Sequence, residues 1–263
     1  MGYVGQLSLA HAAFFALGAY ASAVLTRPAW GVPGPLAMLL GMALAAVLAF
    51  AVARPILRLR GHYLAMATLG LGVIVSIVLN RDVALSGGPD GTSVAALSVA
   101  GWRVGGVETW SWIVGAALCV AVWLSLNLID SPVGRALRAL HGSEIAAATA
   151  GVDVARLKAG VFVLSATMAS FAGSLFAHAE RFVTPIEAGF LRSIEFVTMV
   201  VLGGMASTFG AVVGAVLLTV LPQLTADLAD YKHLAFGAIL SAVMVFLPRG
   251  LVPSLADLAR RAR

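Results

Sequence analysis

Apolar runs near the ~20 residues that cross a bilayer as a helix recur along this chain, at residues 7–25, 35–53, 63–79, 111–129, 159–179, 194–221 and 234–247. A backbone in hydrocarbon has no water to satisfy its N–H and C=O groups, so runs of this length must form helices. The sixth run is too long for one span and is interrupted by Gly203-Gly204-Met205-Ala206-Ser207. It therefore divides at 203–209 into broken or re-entrant segments. The expected fold is all-α, a polytopic transmembrane helix bundle of about eight crossings, with residues 1–263 forming one domain. The balance of 60% hydrophobic and 11% charged residues agrees, since soluble domains carry about 25% charged residues. Met1 leads into apolar sequence without a basic n-region or a small-residue cleavage site, so the apolar segments are read as retained.

Placing residues 54–61, 130–158 and 248–263 on one side of the membrane collects 11 of the 17 basic residues there. The other side holds Arg27, Arg81, Arg103, Arg181, Arg192 and Lys232. The positive-inside rule makes the richer side cytoplasmic, with both termini on it. The same rule accounts for the net charge of +5. No basic run interleaved with aromatics points to nucleic acid. The lone Cys119 can form no intramolecular disulfide. Loop 80–110 carries the turn-forming SGGPDGTS, Ser86 to Ser93, and reads as an external loop, a bare connector or an entry or docking element.

Asp130 to Lys158 is polar and basic between long apolar runs, and cannot sit in hydrocarbon. Ser131-Pro132 reads as an N-cap with proline at the first helical position. The helix opened there is amphipathic, with Arg135 and Arg138 on one face and Leu137 and Leu140 on another. Gly142-Ser143 breaks and recaps it, a second piece runs from Glu144 to Ala150, Gly151 is a left-handed C-cap, and Asp153 caps the next helix. The segment predicts a helical elbow projecting from the membrane.

No GxxxxGK[ST], HExxH, GxSxG or paired-cysteine spacing occurs, so common hydrolytic mechanisms have no seat and neither metal nor catalytic residues are assigned. His11, His62, His141, His178 and His233 are too dispersed for one metal site, and each reads as a satisfied polar contact. Glu195 heads an apolar run, where a buried charge would be functional, although Ser193 capping that helix with the acid in its first turn is the favoured reading. Small residues at Gly18-Ala19, Gly70, Gly72, Ala169–Gly173 and Gly210–Ala215 read as helix packing. Gly203-Gly204 interrupts a span, and broken helices line transport paths. The candidate translocation path is Gln6, Ser8, Ser165, Glu195, Thr198, Gly203 and Gly204. No dense polar cluster is visible at membrane depth, so cargo selectivity is expected to lie outside this chain.

Several pieces together resemble, in family order, the permease subunits of branched-chain amino-acid ABC importers, in particular the LivM-like branch. They are GYVGQLSLAHAAFFALGAYASAVL (Gly2 to Leu25), GGPDGTS, SPVGRALRAL with SEIAAATAGVDVARLK, FVLSATMASFAGSLFAH (Phe162 to His178), EFVTMVVLGGMASTFGAVVGAVLL (Glu195 to Leu218) and PRGL (Pro248 to Leu251). The resemblance implies that 130–158 is the cytoplasmic coupling segment, seated in a groove of a separate ATP-binding subunit. Its candidate coupling residues are Gly134, Arg135, Leu137, Arg138, Leu140, Glu144, Ala146, Ala147 and Gly151. Against the family's EAA-xxx-G pattern, aligned on Gly151, Ala146 and Ala147 match, Ile145 takes the acidic position and Glu144 falls one residue early. Leu137 and Leu140 are expected to anchor the docked elbow through packing, ahead of the arginines. The implied partners are a second, LivH-like permease subunit, two ATP-binding subunits, an external or periplasmic substrate-binding protein and the bilayer of a bacterial plasma membrane. ATP and Mg belong to the partner, with no cofactor in this chain. Relatives carry hydrophobic sequence ahead of the GQLSLAHAAFF region, so leading helices are expected to be lacking here or to lie upstream in a longer reading frame. The alternatives are a urea or short-amide ABC permease, an ion-coupled secondary transporter, and a structural membrane subunit.

Overall fold

Among the described residues, four helices are long and apolar enough to cross a membrane: α2 (Gly34–Ile56), α3 (His62–Arg81), α5 (Val107–Asp130) and α8 (Val154–Glu180). They belong to a computed structural model that describes residues 2, 4–6, 8–59, 61–99, 102–224 and 250–254. A shorter apolar helix, α1 (His11–Leu25), precedes them. Short helices α4 (Val83–Ser86), α6 (Pro132–Gly142) and α7 (Glu144–Thr149) lie between the spans, and α9 (Phe190–Gly203) and α10 (Thr208–Leu224) come after α8. The only strands among the described residues are two-residue pieces: β1 (Thr92–Ser93), β2 (Ser98–Val99), β3 (Trp102–Arg103) and β4 (Phe182–Val183). The chain is thus the expected all-α polytopic membrane protein.

The expected count of crossings treated the sixth run as two. Here α9 and α10 are bent by 120° at a short break. At ~1.5 Å per residue neither half spans the ~30 Å hydrocarbon core, so the pair is one broken or re-entrant segment. The described residues contain four full-length crossings, or five with this pair counted as one. The run at 234–247 lies outside the described residues.

Two compact units divide the chain, Gln6–Ser193 and Ile194–Arg263 with Met1–Gly5. In the first, α8 is the central element, with α1 and α2 packed along it. Small residues permit this. A Cβ on Gly18 would overlap the Ser170 carbonyl and one on Gly173 the Phe15 carbonyl, so the two backbones touch. Ser174 Oγ donates to the Gly18 carbonyl at 3.0 Å across the same crossing. Alanines of α2 (Ala45, Ala49, Ala53) close the other flank with Phe14, Phe162 and Ala166, and the two phenylalanines meet edge to face at 5.7 Å. α5 buries no residue within the unit, and Trp112 and Trp123 face outward.

At the far end of α8 the 80–110 loop is folded down. Thr92 and Ser93 of β1 pair antiparallel with Val183 and Phe182 of β4. Arg27 donates to the carbonyls of Ala84 (3.0 Å) and Leu85 (2.6 Å) and to Thr92 Oγ1 (2.9 Å). This is more than a bare connector. Gly91 there has φ +77°, and a side chain on it would meet the Val183 carbonyl, which accounts for the glycine of the PDG turn. α6 and α7 contact the opposite end of α8. A 27-residue helix is about 40 Å long, so cysteines placed at exposed Ser143 and Ser93, in a Cys119→Ala background, should be labelled by an impermeant maleimide from opposite faces of the membrane. Labelling of both from one face would contradict this layout.

In the second unit, glycines bring α9 onto α10. A Cβ on Gly203 would overlap the Gly210 carbonyl, and one on Gly214 the Met199 carbonyl. Ser207 caps α10 by accepting from the Gly210 amide at 2.9 Å. The expected capping role of Ser193 is corrected. α9 begins at Phe190, the buried Ser193 bonds through its amide to the Gly189 carbonyl at 3.2 Å, and Glu195 falls past the first turn. Extended Gly189, after the 3-10 turn Pro185–Ala188, opens the helix instead.

Candidate functional site

The elbow is built from caps. Ser131 Oγ accepts from the Gly134 amide at 3.2 Å with Pro132 at the first helical position. Gly134 is required there, since a Cβ would overlap the Ile129 carbonyl where α5 turns into α6. Ser143 Oγ accepts from the Ala146 amide at 3.2 Å and opens α7. Gly151, at φ +85°, ends α7, with its amide on the Ala148 carbonyl (3.0 Å) and that of Val152 on the Ala147 carbonyl (3.1 Å). That pair of bonds is a Schellman closure, which needs a left-handed residue. Asp153 Oδ1 accepts from the Arg156 amide at 3.0 Å and starts α8. These local assignments agree with the sequence reading.

What each face meets does not. Leu137 and Leu140, expected to anchor a partner, are 4% and 2% exposed within this chain, where α6 packs on α5, α7 and α8. They hold the elbow to its own body. Gly134 and Ala147 are buried with them. The surface open to a partner is instead Arg135, Arg138, His141, Ala146 and Ile145, the last 73% exposed. Glu144 forms an ion pair with Lys158 of α8, whose side chain is only 7% exposed. Lys158 was not singled out by the sequence. Its only signal was a lysine in the second turn of a long, mostly apolar helix.

The path candidates fall into two groups. Ser165 Oγ lies 3.0 Å from His11 Nε2 and donates to the Phe162 carbonyl at 2.9 Å, leaving its lone pairs for His11. The non-helical stretch before α1 carries Gln6 and Ser8, and the Leu9 amide donates to Thr68 Oγ1 at 3.0 Å. Ser8 is buried, and so is Gln6 Nε2, which has no partner among the described residues. Ser165 lies about 16 Å along α8 from its first residue, so irregular backbone and polar side chains share mid-membrane depth. Such backbone persists in a bilayer only inside protein or beside a cavity. The fold thus gathers a polar shelf of Ser8, His11, Thr68 and Ser165 that no sequence window showed.

The other group belongs to the second unit. Thr198 donates its hydroxyl to the Ile194 carbonyl at 2.8 Å, within its own helix. Gly203 and Gly204 are buried, and side chains on Gly2 and Gly250 would run into Ala206 and Gly204 respectively, so neighbouring backbone fills the space around the break. Glu195 is half-buried on α9. Among the described residues no group of three or more His, Cys, Asp or Glu is placed to hold a metal.

Comparison with known proteins fits this architecture. The family model for the branched-chain amino acid transport system / permease component matches residues 1–248. The permease protein LivM of Escherichia coli (strain K12) is 35% identical over 96% of this chain and 65% of its own length. The LivM of Salmonella typhimurium matches to the same extent, and LivH of Escherichia coli (strain K12) is 27% identical over 95% of this chain and 87% of its own. The chain thus spans just under two thirds of the length of these two LivM proteins. No solved structure matches it significantly. With a family match over nearly its whole length, the chain belongs to the permease-component family of branched-chain amino acid transport systems.

Proposed function

We propose that this chain is the membrane-spanning permease subunit of an ATP-driven importer for branched-chain or other hydrophobic amino acids, in a bacterial inner membrane with both termini cytoplasmic. The observation that carries the reading is the elbow. It is stiffened by three side-chain caps and a Schellman closure, and it is tied by Glu144–Lys158 to α8, the helix against which α1 and α2 pack. A push on its outer face by an ATP-binding subunit moves α8 rather than bending a loop. At mid-depth α8 carries Ser165, so motion there reaches the polar shelf with His11. The chain performs no covalent step. ATP and Mg belong to the two ATP-binding subunits, a LivH-like permease completes the pathway, and an external binding protein selects the cargo.

The outer face makes this testable. Burying an isoleucine in a partner's groove gains roughly 1.5–3 kcal/mol, enough for about tenfold or more in association. Exposed ion pairs give about 0–1 kcal/mol. In proteoliposomes holding the assembled complex, Ile145→Asp should abolish leucine-stimulated ATP hydrolysis while the protein stays inserted, and Arg135→Ala with Arg138→Ala should be milder. Leucine uptake that needs an ion gradient but no ATP-binding subunit would replace this reading by a secondary transporter. Transport of urea or a short amide in place of leucine would keep the architecture and change the cargo.

A further inference from the structure

At the elbow end of the bundle a cavity of about 550 Å³ opens between the last turns of α2 and the first turns of α8, lined by Phe50, Arg54, Arg58, Arg156, Gly160 and Val163 among others. Its composition is split by depth. The arginines sit where the helices leave the membrane. Phe50, on the same face of α2 one turn deeper, is largely exposed, as is Val47 beyond it. Arg54 is held 5.9 Å over the Phe50 ring. Arg156 is paired with Asp153 at 3.0 Å, whereas Arg54 and Arg58 have no carboxylate partner among the described residues. A second furrow of about 340 Å³ runs down the other side of α8 past Leu128, Val133 and Leu164, and shares Arg156 and Gly160 with the first. At Gly160 an added Cβ would find nothing within 4 Å. The glycine leaves a notch where the two furrows meet.

We propose that this is a binding site for one anionic phospholipid, with its phosphate on Arg54 and Arg58 and its two acyl chains in the furrows on either side of Gly160. Guanidinium groups match a phosphodiester in charge and geometry. A basic pocket between membrane helices at the bilayer surface is where such head groups are held. The apolar walls continuing below the arginines distinguish a lipid from a soluble anion. The site rests on the membrane placement of α2 and α8 and is independent of what the protein transports.

Native mass spectrometry of the purified chain with dioleoylphosphatidylglycerol or dioleoylphosphatidylcholine tests it. Each basic residue near an anionic lipid contributes roughly a fivefold preference, so two account for about 25-fold. The unaltered protein should retain one phosphatidylglycerol with about that preference over phosphatidylcholine. Arg54→Gln with Arg58→Gln should remove it, and Gly160→Leu, which keeps every charge but fills the notch, should weaken retention of the bound lipid. Arg135→Gln with Arg138→Gln, an equal loss of charge on the elbow, should leave it unchanged. Retention of the preference by the Arg54/Arg58 pair, equal loss in the elbow pair, or full displacement by soluble glycerophosphate would each overturn the proposal. So would loss of ATP-binding-subunit capture in the Arg54/Arg58 pair with lipid preference intact, which would make the arginines a protein contact.

Discussion

Glu144→Ala is expected to be more damaging than Lys158→Met, although the two residues form one ion pair. The reason is their unequal burial. Glu144 keeps 32% of its side chain exposed and can regain water, whereas Lys158 is 7% exposed and cannot. An ammonium left buried without its counter-charge costs about 3–5 kcal/mol, while replacing a whole buried pair by apolar groups is often close to neutral, and Lys158→Met leaves behind only a carboxylate that water can reach. The acid deletion should therefore detach α7 from α8, raising amide exchange across residues 143–153 and removing substrate-stimulated ATPase activity from the complex. Lys158→Met should lose about 1 kcal/mol, in the range of a partly exposed pair, and the double variant Glu144→Ala with Lys158→Met should recover most of the exchange protection. Equal damage from the two single variants would show that the ion pair does not hold the elbow.

The second large effect is expected at Gly173. Its missing Cβ would fall on the Phe15 carbonyl, so Gly173→Val can be accommodated only by pushing α1 off α8. Inserting extra atoms into a packed core costs about 1–3 kcal/mol where side chains can yield, and here the obstacle is backbone. The variant should aggregate on size-exclusion chromatography and lose most of the parent's thermal stability in detergent. Gly115→Val on α5 is the matched control, since nothing lies within 4 Å of its added Cβ. It should stay within about 0.5 kcal/mol of the parent. Comparable melting of the two variants would mean that the α1–α8 crossing is not the centre of the fold.

The caps and breaks of the elbow were legible in sequence because each is a contract between a residue and its nearest neighbours. A serine followed by proline, a glycine needing φ +85° and an aspartate three residues before the amide it receives all act within one turn. The same holds for spans α2, α3, α5 and α8, whose length is dictated by the bilayer. Ser193 shows the limit. Its identity as a cap depended on where α9 begins, and the 3-10 turn before Gly189 moved that boundary upstream.

By itself, then, the sequence determined that this chain is a multi-pass helical membrane protein, where its polar elbow lies, how that elbow is capped and which family it resembles, because hydrophobic run length and short-range hydrogen bonding are properties of neighbouring residues. Tertiary structure alone decided what those residues face. An amphipathic helix announces that its apolar side must be covered, but Leu137 and Leu140 turned out to be covered by their own chain, leaving Ile145 and the arginines outward. Likewise Ser165 meets His11 and Lys158 meets Glu144 only because α8 carries both residues past elements distant or folded back in sequence. Hydrocarbon and water specify how polar a surface is, and only the packing of one helix on another specifies which surface is left to meet them.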